Sequence, residues 1–355
     1  MKKIGIVTLN HGYNYGNKLQ NYAMVEVYKK NGFIVETISF EPVKQENKFK
    51  LEFKKIKDSL FNRNKLYRAN KFKEFNKKYL NMTSKIYNNN NYMDINENEY
   101  ELFSVGSDQV WNSYFWDFST FYLLDFVKDN NKKFAYAASF GVEDINEMYS
   151  DKFSENLKKF KDITVREQSA IKLVKKIAGK DAKLVLDPTM LLEKNEWLQF
   201  IKSGEYNEDK EYVFIYFLGK KDENAVKMIE ELKQKYKIID LNDIHNKYFK
   251  SNPNEFLYLL KNSKVVLTDS FHASVFSIIF EKPFVVFDRN SVTKKMNSRI
   301  ETLLNELELK HHKYSSNMNK SVIFDNKYDN ANRILSNKRN ECLSYLNKFL
   351  GDYND

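Results

Sequence analysis

The stretch that decides the fold is residues 2–40, KKIGIVTLNHGYNYGNKLQNYAMVEVYKKNGFIVETISF. The short apolar run Ile4–Leu9 is typical of a strand, and Lys18–Asn31 has the spacing of a helix that stops at Gly32. A second apolar run follows at Phe33–Phe40. Strand, helix and strand in this order predict a βαβ unit with two parallel strands.

The same alternation of short apolar runs and helical patterns continues along all 355 residues and predicts the α/β class, with helices on the faces of parallel sheets. A chain of this length is expected to form two domains that share a cleft. We predict Rossmann-like domains at 1–192 and 193–328, and a C-terminal helix at 329–355 that crosses back onto the first domain. The later predicted strands are Glu101–Val105, Lys133–Ala138, Asp162–Val165, Lys183–Leu186, Tyr212–Leu218, Lys237–Leu241, Lys264–Thr268 and Pro283–Phe287.

The positive charge of the chain is concentrated in residues 44–80. This segment holds 13 Lys or Arg and 4 Asp or Glu, a balance of +9 within a net charge of +10. Apolar residues recur among the charges at roughly helical spacing, so we predict basic amphipathic helices inserted in the first domain. A solvated insertion packed on the domain is the favoured interpretation, and contact with an anionic membrane is the alternative. No recognition motif accompanies the patch, so nucleic acid is not an expected partner.

The remaining composition is typical of a folded protein from a reducing compartment. The single cysteine, Cys342, excludes an internal disulfide and a cysteine-based zinc site. The apolar run at the N-terminus is interrupted by Asn10 and His11, which favours a strand over a signal peptide. No stretch has the roughly 18 to 20 apolar residues that span a bilayer. We therefore expect a cytoplasmic protein, with peripheral attachment to the inner face of the membrane as an alternative; the sequence leaves a homo-oligomer open.

Ligands of parallel α/β sheets bind beyond the carboxyl ends of the strands, where this sequence is unusually polar. The loop after the first predicted strand contains Gly12 and Gly16 and leads into a helix start that suits an anion or a sugar hydroxyl. It lacks the glycine pattern of dinucleotide-binding loops and the Lys-Ser/Thr of a P-loop, so NAD and ATP are not expected. After the third predicted strand, Asp108 and Asn112 are candidates for binding hydroxyls and Trp111 for stacking on a sugar. A capped turn with a core tryptophan is equally consistent with that motif.

Two residues at later strand ends are candidates for anion binding or catalysis. Arg166 lies at a predicted strand-to-helix junction, where its planar guanidinium would match a carboxylate or phosphate, although a surface ion pair is the commoner role. His272 lies within Thr268–Phe287, between an apolar strand and an apolar helix. A histidine there suits proton transfer near neutral pH, but position alone favours a packed or capping residue.

Seven motifs, in order, resemble the polysaccharide pyruvyl transferase family, and GSDQVW with SFH indicates a bacterial subgroup. The resemblance implies two Rossmann-like domains in the GT-B manner. It also implies transfer of a pyruvyl group from phosphoenolpyruvate to a sugar of a cell-surface polysaccharide or its precursor, which forms a ketal. Phosphoenolpyruvate would be a co-substrate, no cofactor or metal is expected, and the partner would be a sugar or lipid-linked oligosaccharide acceptor. The motifs are NYGNKLQNYA (14–23), GSDQVWN (106–112), YAASFG (136–141), TVREQS (164–169), VLDPTMLL (185–192), TDSFHASVFSIIFEKPF (268–284) and MNSRIETLL (296–304).

By this resemblance His272 is the acid that protonates the enol carbon. Many family members have an arginine two residues before the histidine, where this chain has Ser270. Either Arg289, Lys282 or Arg299 supplies that charge, or the donor differs. A GT-B-type glycosyltransferase using a nucleotide sugar and a non-catalytic sugar-binding subunit are the alternative functions. The predicted donor-binding residues are Arg166, Ser270, Phe271, Arg289, Asn297 and Arg299, and the predicted acceptor-binding residues are Asn14, Asn17, Asp108, Trp111, Asn112 and Ser139.

Overall fold

The computed structural model describes residues 2–43, 63–289 and 298–353 and divides into two compact units, each built on a parallel sheet. The predicted pair of parallel α/β domains is therefore confirmed. Among the described residues, the first unit contains 2–43, 76–192 and 336–353, and the second contains 63–75, 193–289 and 298–335.

The first unit has six parallel strands in the order β2-β1-β3-β4-β5-β6. Their side chains are largely buried on both faces, which explains why the sequence shows continuous apolar runs rather than alternation. The strands are β1 Lys3–Val7, β2 Ile34–Thr37, β3 Leu102–Val105, β4 Lys133–Ala138, β5 Asp162–Val165 and β6 Lys183–Leu184. The helices are α1 Tyr15–Lys30, α3 Ser150–Leu157 and α4 Gln168–Ala178, together with the later part of α10 Asp329–Gly351.

The second unit has four parallel strands in the order β10-β9-β7-β8. All nine residues of the helix Phe271–Ile279 (α8) are buried. The strands are β7 Tyr212–Tyr216, β8 Lys237–Asp240, β9 Val265–Thr268 and β10 Phe284–Val286. The helices are α5 Lys194–Phe200, α6 Glu223–Lys233, α7 Pro253–Lys261, α8 Phe271–Ile279 and α9 Ser298–Glu306.

The basic segment is placed differently from the prediction. Residues 44–62 lie outside the described residues, and the rest forms α2, Arg63–Tyr79, whose residues up to Phe75 belong to the second unit rather than the first. Lys71 pairs with the buried Glu255 at 2.8 Å, and the Phe75 ring packs against Phe200 at 6.1 Å. Burial of the Phe75 ring and pairing of Lys71 favour this placement. Both partners are far from α2 in sequence, which is why the sequence pattern did not predict it.

The C-terminal helix α10 returns to the first unit, as predicted. From Ser336 onward its residues belong to that unit. The Tyr345 hydroxyl donates to Asp162 at 2.6 Å, and the Phe349 ring stacks on Phe134 with centroids 4.1 Å apart. Among the described helices, none has the length and apolar character needed to cross a lipid bilayer.

Candidate functional site

Each sheet has a point where the strand order reverses. In the first unit β1 lies between β2 and β3, and in the second unit β7 lies between β8 and β9. Loops that leave the carboxyl ends of the two strands at such a point diverge and open a crevice, where ligands of α/β sheets bind. The loops after β1 and β3, and those after β7 and β9, are therefore the places where each unit is built to bind a ligand.

Ser107 is the best-fixed residue at the reversal point of the first unit. Its backbone N–H donates to the Gln20 side chain at 3.0 Å, and its carbonyl accepts from the Thr8 hydroxyl at 3.0 Å. Its own hydroxyl lies 3.0 Å from an Asp187 carboxylate oxygen. The preceding Gly106 has φ +107°, and a Cβ there would stand 2.4 Å from a backbone oxygen, so only glycine fits. The loop after β3 is held rigidly to α1 and to the segment after β6.

Arg166 is buried between two carboxylates at the same edge. Its guanidinium donates to Asp108 at 3.0 Å and to Asp187. Burial opposes the charge, but Asp187 and then Asp108 more than offset it and raise the pKa of Arg166 above its ordinary value. The sequence predicted a clamp for the donor; in the structure these two carboxylates hold the guanidinium inside the first unit.

Three other predicted acceptor residues have internal partners. Trp111 is 0% exposed and its indole N–H donates to the Tyr122 carbonyl at 2.9 Å, so it is the core tryptophan of the alternative interpretation and presents no ring face for stacking. The Asn112 amide donates to the Gln109 side chain at 2.9 Å, and the Ser139 hydroxyl donates to Glu167 at 3.0 Å. These residues shape the loops of the first unit from within.

The start of α1 contains the remaining acceptor candidates. The Asn14 side chain caps the helix by accepting from the Gly16 N–H at 2.9 Å, which explains why α1 begins three residues before its predicted start at Lys18. Asn17 is buried, and its amide oxygen has no hydrogen-bond partner within the described part of the chain. Lys18, which was not among the predicted site residues, is fully buried and donates to the Asn10 carbonyl. Burial lowers the pKa of Lys18 to about 7.

Asp269 ties together the two strands at the reversal point of the second unit. One carboxylate oxygen accepts from the Leu218 N–H at 2.6 Å and the other from the Gly219 N–H at 2.7 Å. These two amides lie two and three residues after the end of β7, whereas Asp269 directly follows β9. A carboxylate accepting two backbone N–H bonds fixes both loops in place. Asp269 was missing from the predicted site, although it stands in the TDSFH motif.

The histidine predicted as the acid follows at once on α8. Ser270 caps this helix, since its hydroxyl accepts from the Ala273 N–H at 3.4 Å. His272 lies in the first turn, is 5% exposed, and meets the Phe271 ring edge-on at 5.2 Å. The sequence therefore placed His272 correctly at the junction of β9 and α8.

Two arginines meet the same junction. Arg289 donates to the Asp269 carbonyl at 3.1 Å, and its Nε lies 3.4 Å from an Asp269 carboxylate oxygen. The Arg299 guanidinium lies over the Phe271 ring, 5.8 Å from its centroid. Lys282 precedes β10 and so lies at the amino end of the parallel sheet, away from this junction. Asn297, the last predicted donor residue, lies outside the described residues.

Comparison with known proteins adds a family match: the family model for polysaccharide pyruvyl transferase matches residues 14–291. No curated protein matches the sequence. Among solved structures, a UDP-GlcNAc 2-epimerase from Neisseria meningitidis, bound to UDP-GlcNAc, is similar at 12% identity and a TM-score of 0.45, over 96% of this chain and 100% of that one. The spinosyn rhamnosyltransferase SpnG is similar at 10% identity and a TM-score of 0.44, over 99% of this chain and 100% of that one.

Proposed function

This chain belongs to the polysaccharide pyruvyl transferase family, and from that premise we propose that it transfers a pyruvyl group from phosphoenolpyruvate to two hydroxyls of a sugar. The acceptor is a cell-surface polysaccharide or its precursor. In the reaction the methylene carbon of the donor gains a proton and becomes a methyl group. The central carbon forms bonds to two sugar oxygens and loses its bond to the phosphate oxygen. The two sugar hydroxyls release two protons. One restores the proton that the acid gave to the methylene carbon, and the other leaves with the phosphate.

The observation that carries this proposal is the junction of β9 and α8, where one imidazole and two guanidinium groups gather. Phosphoenolpyruvate has a carboxylate and a phosphate, and arginine matches both anions with its planar set of donors. Arg289 and Arg299 are therefore the donor-binding residues. His272 supplies the proton as positive charge develops on the central carbon of the donor, since a histidine can donate near neutral pH.

Arg289 is the best replacement for the arginine that many family members have at the position of Ser270. It follows β10, at the carboxyl end of the sheet, and its hydrogen bond to the Asp269 carbonyl places it beside the residue that precedes Ser270. Lys282 is a poorer replacement because it precedes β10 and lies at the opposite end of that strand. Ser270 itself is used as the cap of α8.

On the acceptor side, Asn17 is the strongest of the predicted residues. Buried polar atoms in folded proteins nearly always have a hydrogen-bond partner, and the Asn17 amide oxygen has none among the described residues. A sugar hydroxyl would satisfy it at the reversal point of the first unit. The cytoplasmic location, the contact of residues 44–80 with an anionic membrane and the homo-oligomer stay predictions, as does the subgroup indicated by GSDQVW and SFH.

Phosphate release tests the chemistry directly. Purified protein given phosphoenolpyruvate and a galactoside, mannoside or amino-sugar acceptor should release phosphate and form a ketal that is visible by carbon NMR. His272→Ala should abolish release, whereas His245→Ala, at an exposed histidine of the same unit, should not affect it. Full activity of the His272 variant would refute the assigned acid.

Donor identity is tested separately by binding. In saturation-transfer NMR we expect contact with phosphoenolpyruvate and none with a panel of nucleotide sugars. Arg289→Gln should weaken phosphoenolpyruvate binding at least about tenfold, since a charge-assisted bond to an anion contributes about 1.5–3 kcal/mol. Arg333→Gln, at an exposed arginine of α10, is the matched control. Exclusive binding of a nucleotide sugar would favour the glycosyltransferase alternative.

A further inference from the structure

Two histidines and one aspartate converge on the second unit at a place that the proposed reaction does not use. One ligand atom from each of His311, His312 and Asp325 lies within 4.8 Å of the others. The Nε2 atom of His311 is 3.3 Å from an Asp325 carboxylate oxygen. His312 packs on Phe284, the first residue of β10, so the cluster lies at the amino end of that strand. The β9–α8 junction is at the carboxyl end of the same sheet.

The hydrogen bonding of His312 leaves one of its nitrogens ready to bind a metal. Its Nδ1 lies 2.9 Å from the Phe284 carbonyl, and a carbonyl only accepts, so Nδ1 carries the proton. In the neutral ring Nε2 then has the lone pair. This atom is buried and has no hydrogen-bond partner among the described residues. A backbone carbonyl that fixes the tautomer while the other nitrogen stays open is the usual support of a metal-binding histidine.

We propose that His311, His312 and Asp325 bind a divalent transition metal, and that Zn²⁺ fits best. Two imidazole nitrogens and one carboxylate oxygen are ligands that zinc accepts, whereas Mg²⁺ and Ca²⁺ prefer oxygen alone. With bonds of about 2.0–2.2 Å, tetrahedral ligands stand about 3.4 Å apart. The widest separation must therefore close by no more than about 1.4 Å. The His311 side chain is 40% exposed, so it has room to turn, and water can take the fourth position.

The metal would link two turns beside the edge strand β10. His311 and His312 end the turn Lys310–His312, and Asp325 directly follows the turn Lys320–Phe324. The chain after the first turn pairs with β10, since the Tyr314 N–H donates to the Val286 carbonyl at 2.8 Å. Binding would hold both turns against the edge of the second sheet and stabilise this unit by mass action.

Calorimetric titration of Zn²⁺ into the full chain, carrying no polyhistidine tag and freed of metal by a chelator, tests the site. We expect one ion per chain, no comparable binding of Mg²⁺, and a rise in melting temperature of about 5 °C at a hundredfold excess of free Zn²⁺ over its Kd. Titration with Co²⁺ should produce the intense visible bands of a tetrahedral centre.

His311 is exposed and Asp325 is half-buried, so variants at these two ligands should fold normally and report on metal binding alone. His311→Ala and Asp325→Asn should each weaken Zn²⁺ binding at least about tenfold, whereas His245→Ala should leave it unchanged. Absence of binding to the unmodified chain, or binding that both ligand variants retain at full strength, would overturn the proposal. Neither outcome bears on the transferase reaction, because the two ends of the sheet are tested by different ligands.

Discussion

Lys18 allows the effect of a buried charge on the free energy of unfolding to be measured. It is 1% exposed, and burial lowers its pKa from the ordinary 10.5 to about 7, with Glu41 partly opposing the shift. Between pH 7 and 10.5 the unfolded chain therefore holds a proton that the folded chain releases. Stability contributed by this group rises with pH across that window, and below about pH 7 the full penalty is present because both states are protonated.

The size of the effect follows from the two pKa values. A change from 10.5 to about 7 corresponds to a penalty of about 5 kcal/mol below pH 7, of which about 3 kcal/mol is relieved between pH 7 and 9.5. Lys18→Met removes the charge but leaves the Asn10 carbonyl without its donor, a loss of about 1–3 kcal/mol. The variant should thus be more stable than the parent by about 2 kcal/mol at pH 7, and this advantage should fall by about 3 kcal/mol by pH 9.5.

Urea unfolding at several pH values, followed by circular dichroism, measures this difference. Subtracting the parent curve from the variant curve at each pH cancels every other titrating group. Lys30→Met, at an exposed lysine of the same helix, is the matched control and should change stability by less than about 1 kcal/mol at any pH. A difference between Lys18→Met and the parent that stays constant from pH 7 to 9.5 would refute the buried charge.

Three further predictions concern features of the two units. Arg166→Met should lower the free energy of unfolding by about 3–5 kcal/mol, measured by thermal unfolding, because Asp108 and Asp187 stay buried without the guanidinium. Arg166→Lys keeps a positive charge and should lose less stability, so equal losses for the two variants would contradict this explanation. Asp269→Ala should cost about 1–3 kcal/mol for each of the two amides it leaves unbonded and should raise the KM for phosphoenolpyruvate; unchanged kinetics would separate Asp269 from the site. Deletion of residues 336–353 should expose the face of the first sheet that they cover and increase binding of a hydrophobic dye, and a chain that keeps its melting temperature would argue against that packing.

The elements of the fold could be predicted from the sequence because buried parallel strands appear as continuous apolar runs. Within residues 2–43, 63–289 and 298–353, the ten strands lie where the apolar runs predicted them, although several are shorter than those runs. The surroundings of the side chains could not be predicted in the same way. Arg166 pairs with Asp108, 58 residues away, and the face on which α2 packs depends on Glu255, 184 residues from Lys71.

For the candidate site, too, the positions of residues along the chain could be predicted, whereas the surroundings of their side chains could not. His272 and Arg166 were placed correctly at strand ends, since the motif order fixes which residues follow each strand. Whether such a residue faces a ligand depends on exposure and partners, which one-dimensional spacing does not contain. Trp111 illustrates this, because an aromatic ring after a strand is equally suited to a sugar or to the core, and the packing of Phe140 at 5.2 Å decides for the core.

The return of α10 to the first unit has a consequence for how the chain is made. Tyr345 and Phe349 contact Asp162 and Phe134, which lie nearly two hundred residues earlier or more. A ribosome making this protein releases the central strands of the first sheet long before it releases the helix that covers them. The apolar face of the nascent first sheet therefore stays exposed to chaperones until the whole of the second sheet has been synthesised.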